Sequence, residues 1–282
     1  MTGRLAAKST SPSTRGREIA QLFRRSRDLL ETRACNLDGI LEEADLEVVT
    51  SRSDDPGYAA VLLRLRGGGG GIMMAANQSP ERRRFSLAHE IGHYFIPSHA
   101  DAGPALACAD ADLRARSTDS KKLEWEANDF AAELLMPRAL FSADAKHRPI
   151  SFETVDFLAA AEMYQVSRTA AAWRLIQTTR EQCALVMSRA GAVEWVAKSD
   201  TMAFWIPERG QAVGRNSVAA AIYRGESPTQ NAERVTTAEW LEPRPYQSFD
   251  GIETFESACA IPSQSQVLSL IWARALDDDE DE

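Results

Sequence analysis

Apolar residues recur at helical spacing through the first part of this chain and change to short, broken runs from Cys183 onward. In residues 19–31 they predict an amphipathic helix with Ile19, Leu22, Phe23, Leu29 and Leu30 turned inward. Leu37, Ile40, Leu41 and Leu46 predict a second, short helix leading into a strand. Residues 59–65 and 72–76 are apolar runs separated by the glycines Gly67 to Gly71, which reads as a β-hairpin with a loose turn. No Gly-Lys-Ser/Thr follows those glycines, which argues against a phosphate loop. Leu87, Ala88, Ile91 and Phe95 form the stripe of a further helix. Ser79 is placed to cap it, Pro80 fits its first position, Glu81 suits its positive end and Pro97 stops it. Ala127, Phe130, Ala131, Leu134 and Leu135 give the apolar face of another helix, ended by Pro137.

Residues 152–179 hold two helical stretches. Val155, Leu158, Ala159 and Met163 mark the first; Ser167 caps the second, which turns Ala170, Ala171, Leu175 and Ile176 inward. The string at 158–167 resembles a helix-turn-helix. Beyond it, 184–188 and 193–197 read as strands around Gly191, 218–223 as a short helix and 267–273 as a last strand. Pro207, Pro228, Pro243, Pro245 and Pro262 break this region into short pieces, predicting a small mixed α+β domain over 181–276. The chain shows no internal repeat.

Composition narrows the picture. A chain of 282 residues, 44% of them apolar, suits one large or two modest domains with sizeable cores. With 32 basic against 41 acidic residues the net charge is −9, which argues against general polyanion binding. Part of that charge lies in an acidic tail at 277–282, and residues 1–15 are Ser/Thr/Arg-rich; both are expected to be disordered. Arg168, Arg174 and Arg180 lie in the helix-turn-helix-like segment, but Glu153, Asp156 and Glu162 offset them, so direct DNA binding is not expected. Cys35, Cys108, Cys183 and Cys259 are widely separated and form no Cys-x-x-Cys pair, which argues against a disulfide framework and fits a reducing cytosol. The polar first ten residues carry no signal-like apolar segment and no run is long enough to span a membrane, so a cytoplasmic location is expected.

The chemistry concentrates at His89-Glu90-Ile91-Gly92-His93. Residues four apart share a helical face, so both imidazoles can reach one cation, while Glu90 on a neighbouring side can hold a metal-bound water. A catalytic zinc usually takes three protein ligands, and two candidates complete the set. His99 lies ten residues after His89, the spacing of the metzincin motif, but Ile96 stands where that motif has its turning glycine. Glu124 lies four residues before Asn128 on the edge of the apolar face of its helix, where a core-facing carboxylate needs a partner and Asn128 can steady a ligand. Glu126 and Glu133 point to the other side of that helix and are expected to be solvated.

Two segments carry a resemblance to a known family. R-x-F-S-L-A-H-E-I-G-H at 83–93 and E-x-E-A-N-x-F-A-A-E-L-L-M-P at 124–137 resemble the ImmA/IrrE metallopeptidases, over roughly residues 20–180. The resemblance implies an α+β chain with a zincin-like metallopeptidase domain at 16–150 and a helix-turn-helix-like segment at 151–180. By position it implies zinc held by His89, His93 and Glu124, with Glu90 as catalytic base and Asn128 behind the ligands. Glu124 is favoured over Glu126 because it shares a face with Asn128. His99 then becomes a cleft residue, a candidate for substrate or oxyanion contact, in a long loop over 94–123. Residues 72–76 are the candidate strand for pairing with extended substrate. The resemblance further implies a protein substrate, a helix-turn-helix transcriptional repressor whose cleavage releases stress, phage or mobile-element genes. The rival is a zinc-binding regulator that binds a repressor or DNA without cutting.

Overall fold

The computed structural model describes residues 14–53, 57–102, 105–108, 118–227, 231–245, 247–261 and 265–276. Residues 1–13 of the tail expected at 1–15, the acidic tail at 277–282, and residues 103–104 and 109–117 of the loop expected at 94–123 lie outside the described residues. Two compact units divide after Pro137, with Tyr164–Val166 belonging to the first. The chain is mixed α+β, with eight α-helices and two sheets among the described residues.

In the first unit, α1 (Thr14–Ser26) ends earlier than its apolar spacing suggests. Asp28 takes the left-handed conformation (φ 55°), Leu29 N–H reaches Arg24 O at 2.9 Å and Asp28 N–H reaches Arg25 O at 3.3 Å. These are the paired bonds of a Schellman close, which leaves Leu30 half exposed rather than inward. Leu22 is likewise exposed, while Phe23 and Arg24 are buried. The Arg24 guanidinium compensates its burial by donating to the carbonyls of Leu134 (2.7 Å), Thr32 (2.5 Å) and Leu29.

Helix α2 (Leu37–Glu43) leads into β1 (Leu46–Thr50), followed by the hairpin of β2 (Ala60–Arg64) and β3 (Gly70–Met74). At the turn, Gly69 has φ 72°, and a Cβ there would meet Asp45 O at 2.8 Å. After α3 (Pro80–Phe95), a 3-10 turn (Pro97–Ala102) passes to β4 (Ala105–Cys108) and then α4 (Thr118–Leu135). The strand order is β1-β3-β2-β4, with Ile72 of β3 opposite Val48 in parallel and Leu62 antiparallel. Strand β3 is therefore paired on both sides. It cannot accept an extended substrate as the sequence suggests, because its N–H and C=O groups already serve the ladder.

The second unit begins with α5 (Arg138–Ala145), α6 (Phe152–Ala159) and α7 (Arg168–Thr178); Ser151 and Ser167 cap the last two. Helix α7 packs on β5 (Gln182–Arg189) and β6 (Ala192–Lys198) through a buried face that includes Ala171, Leu175 and Ile176. Arg174 is buried in that face and Arg168 is clamped by Asp156 through contacts of 2.6 and 2.7 Å, so neither presents a free guanidinium to a phosphate. Helix α8 (Val218–Tyr223) and strands β7 (Glu233–Val235), β8 (Ile252–Ile261) and β9 (Gln266–Ala275) complete an antiparallel sheet of order β6-β5-β9-β8-β7.

Strand β8 escaped sequence reading because its core face carries a carboxylate. Fully buried Glu256 accepts from Val218 N–H (2.7 Å), Ala219 N–H (3.0 Å), the Trp240 indole (2.7 Å) and the Ser269 hydroxyl (3.0 Å). Burial raises its carboxyl pKa, although these four donors oppose the shift. A folded-state value above the unfolded one gives stability that is full below the unfolded pKa and lost as pH rises through the folded pKa. Glu256→Gln cannot titrate, so its urea midpoint is expected to fall less steeply than wild type as pH rises above about 4.5, the unfolded value.

Candidate metal centre

Helix α3 begins as its sequence dictates: Ser79 Oγ accepts from Arg82 N–H at 3.2 Å and Pro80 occupies the first turn. From Ser86 to His93 every residue of the helix is buried. This stretch lies between the sheet, where α3 packs on β2 and β3, and helix α4. Arg64 of β2 donates to the carbonyl of His93, tying the sheet to the motif. Gly92 faces Phe130 of α4, and a Cβ at that position would lie 2.9 Å from the ring. Helix α4 in turn meets α1 so closely that a Cβ on Gly16 would lie 2.0 Å from Glu126 O.

This packing brings three side chains together. His89 Nε2 lies 3.0 Å from His93 Nε2 and 3.3 Å from Glu124 Oε2, and His93 Nε2 lies 3.8 Å from Glu124 Oε1. All three residues are buried and can hold a metal ion. Ligand atoms about 2.1 Å from a tetrahedral ion stand about 3.4 Å apart, and the observed separations bracket that value. Two imidazoles and one carboxylate form a donor set suited to zinc with one coordination position left over.

The electrostatics of the cluster follow from the same geometry. Burial pushes His93 down to about 4, against the pull of Glu124, so its ring is neutral at pH 7. Burial alone would raise the Glu124 carboxyl, but hydrogen bonds with His89 and His93 hold it well below the usual carboxylate range. Burial also depresses His89, yet Glu124 and then Glu90 outweigh it and leave the pKa raised. Glu90 itself is fully buried beside His89.

A second layer of groups stands behind the first. Asn128 Oδ1 lies 2.9 Å from His89 Nδ1, which leaves Nε2 directed at the cluster. His99, read from sequence as a cleft residue, is fully buried with both nitrogens engaged: Nδ1 meets His93 Nδ1 at 2.8 Å and Nε2 meets Glu126 Oε2 at 3.2 Å. It faces the rear of His93 and is in no position to touch substrate. The 3-10 turn after Pro97 folds it back, with His99 N–H on Ile96 O at 3.0 Å.

Glu126 and Glu133, expected to be solvated, are 1% and 2% exposed. The physical reason is that α4 is covered on two sides, by α3 and by α1, whereas its apolar stripe marks only one. Gln21 of α1 donates to Glu133 at 3.0 Å. Sequence reasoning also passed over Gly92 and Arg64; only the small residue inside the motif hinted at close helix packing. Gly92→Ala is expected to cost about 1–3 kcal/mol, because α3 and α4 must separate around Phe130. Since the three side chains that can hold a metal straddle those two helices, metal affinity should fall with it, as urea unfolding and chelator competition would measure.

The comparisons with known proteins agree with this architecture. One solved structure, "Mycobacterium tuberculosis transcriptional regulator", matches with a TM-score of 0.50 and 17% identity, over 92% of this chain and 88% of that one. At that identity the likeness concerns the fold alone. Comparison with curated proteins gave no match. Residues 42–175, which hold both segments of the metal cluster, match the family model Peptidase_M78, the IrrE N-terminal-like domain. Those residues thus carry an IrrE N-terminal-like domain of the Peptidase_M78 type.

Proposed function

We propose that this chain is a zinc-dependent, site-specific endopeptidase whose substrate is a protein, a helix-turn-helix transcriptional repressor. The observation that carries the reading is the buried cluster of His89, His93 and Glu124 with the Glu90 carboxylate beside it. Zinc held there supplies a water of lowered pKa and a Lewis acid for the scissile carbonyl. His89 and His93 offer Nε2 lone pairs, and Glu124 adds a carboxylate whose negative charge offsets part of the charge of a divalent ion. Glu90 takes the proton from the attacking water on its carboxylate and delivers it to the leaving amine nitrogen.

Composition supports a cytoplasmic setting, and no helix among the described residues is long and apolar enough to cross a membrane. A peptidase in that setting must be selective, which favours one repressor over general proteolysis. The test is incubation with the product of an adjacent repressor gene, with and without a chelator. A shortened repressor that appears only with metal supports the reading. Repressor binding or a DNA gel shift without cleavage would instead support a non-proteolytic zinc-binding regulator.

A further inference from the structure

We infer that His99 and Glu126 form a buried proton-ordered relay that orients the His93 ring and sets the affinity of the metal centre. The inference rests on the reading of His93 as a ligand. To offer a lone pair from Nε2, a neutral His93 ring must carry its proton on Nδ1. That Nδ1 lies 2.8 Å from His99 Nδ1. Two ring nitrogens at that distance share one proton, so His99 Nδ1 accepts and the His99 proton sits on Nε2. That Nε2 lies 3.2 Å from Glu126 Oε2, where a carboxylate accepts it. The tautomer of each ring is thus dictated by its neighbour, from the carboxylate to the metal-facing nitrogen.

Burial makes the order strict. His93 and His99 are 0% exposed and Glu126 is 1% exposed, so bulk water does not compete for these bonds. Rotating the His99 ring by a half turn would put carbon against both partners. The carboxylate draws on the His99 proton, His99 draws on the His93 proton, and Nε2 of His93 becomes a stronger donor. The relay also explains why a glutamate two residues from Glu124 is buried at the meeting of α4 with α1. His99 and Glu126 are positioning residues: they act through His93 and touch neither substrate nor metal.

The test uses the full chain and zinc alone, by competition with a chromophoric chelator. Glu126→Gln keeps the shape but not the charge and should weaken zinc binding by about tenfold; His99→Phe should weaken it by about 10- to 100-fold. The double variant His99→Phe with Glu126→Leu removes the buried carboxylate left behind, and it should bind zinc no more weakly than His99→Phe. Ring nitrogen NMR shifts of the zinc-loaded protein supply a readout that a merely structural role would not move: His99 protonated on Nε2 and not on Nδ1. A His99 proton on Nδ1, or Glu126→Gln binding zinc as tightly as a zinc-binding wild type, would overturn the relay alone. A wild type that binds no zinc would overturn the metal-centre reading and the relay with it.

Discussion

Glu90→Gln is expected to bind zinc as wild type does and to lose repressor cleavage by about 10²- to 10⁴-fold, the usual range for removing a general base. The two effects separate because Glu90 stands beside the donor set but outside it. Glutamine has nearly the same shape and still accepts a hydrogen bond, so packing around this fully buried position is largely kept. What it cannot do is take a proton from the attacking water. Zinc content measured beside the cleavage rate checks both halves. Cleavage at the wild-type rate would remove Glu90 from the mechanism.

The second large effect concerns the third ligand. Glu124→Ala and His93→Ala are each expected to lose zinc and cleavage together, because the buried site is left with two protein ligands. His99→Ala should keep zinc, bound more weakly, because its Nδ1 serves the rear of His93 and its Nε2 serves Glu126. Metal analysis of the three purified variants ranks them. Full zinc retention by Glu124→Ala, with loss in His99→Ala, would restore the metzincin-like arrangement that the spacing of His99 left open.

Much of this site was legible because helices announce their faces and ends locally. Ser79, Pro80 and Pro97 delimit α3 through the chemistry of its termini, and the four-residue spacing of His89 and His93 needs nothing but helical geometry. Glu124 and Asn128 were legible for the same reason. The parts that escaped depend on what packs from elsewhere. Glu126 looks like a solvated residue until α1 closes over it, and His99 looks like a loop residue until the turn after Pro97 folds it under His93. The end of α1 was misjudged because Asp28 closes the helix in a conformation more often given to glycine. The exclusion of β3 as a substrate edge followed from strand order, which periodicity does not encode. In the second unit, β8 was hidden by Glu256, whose four donors come from three distant segments of the sequence.

The most direct test of the central claim is anomalous diffraction at the zinc edge from crystals of the zinc-loaded full chain. The account predicts one strong peak about 2.1 Å from His89 Nε2, His93 Nε2 and a carboxylate oxygen of Glu124, with Asn128 and His99 behind the two histidines. A peak coordinated by His99, or no peak between α3 and α4, would contradict it.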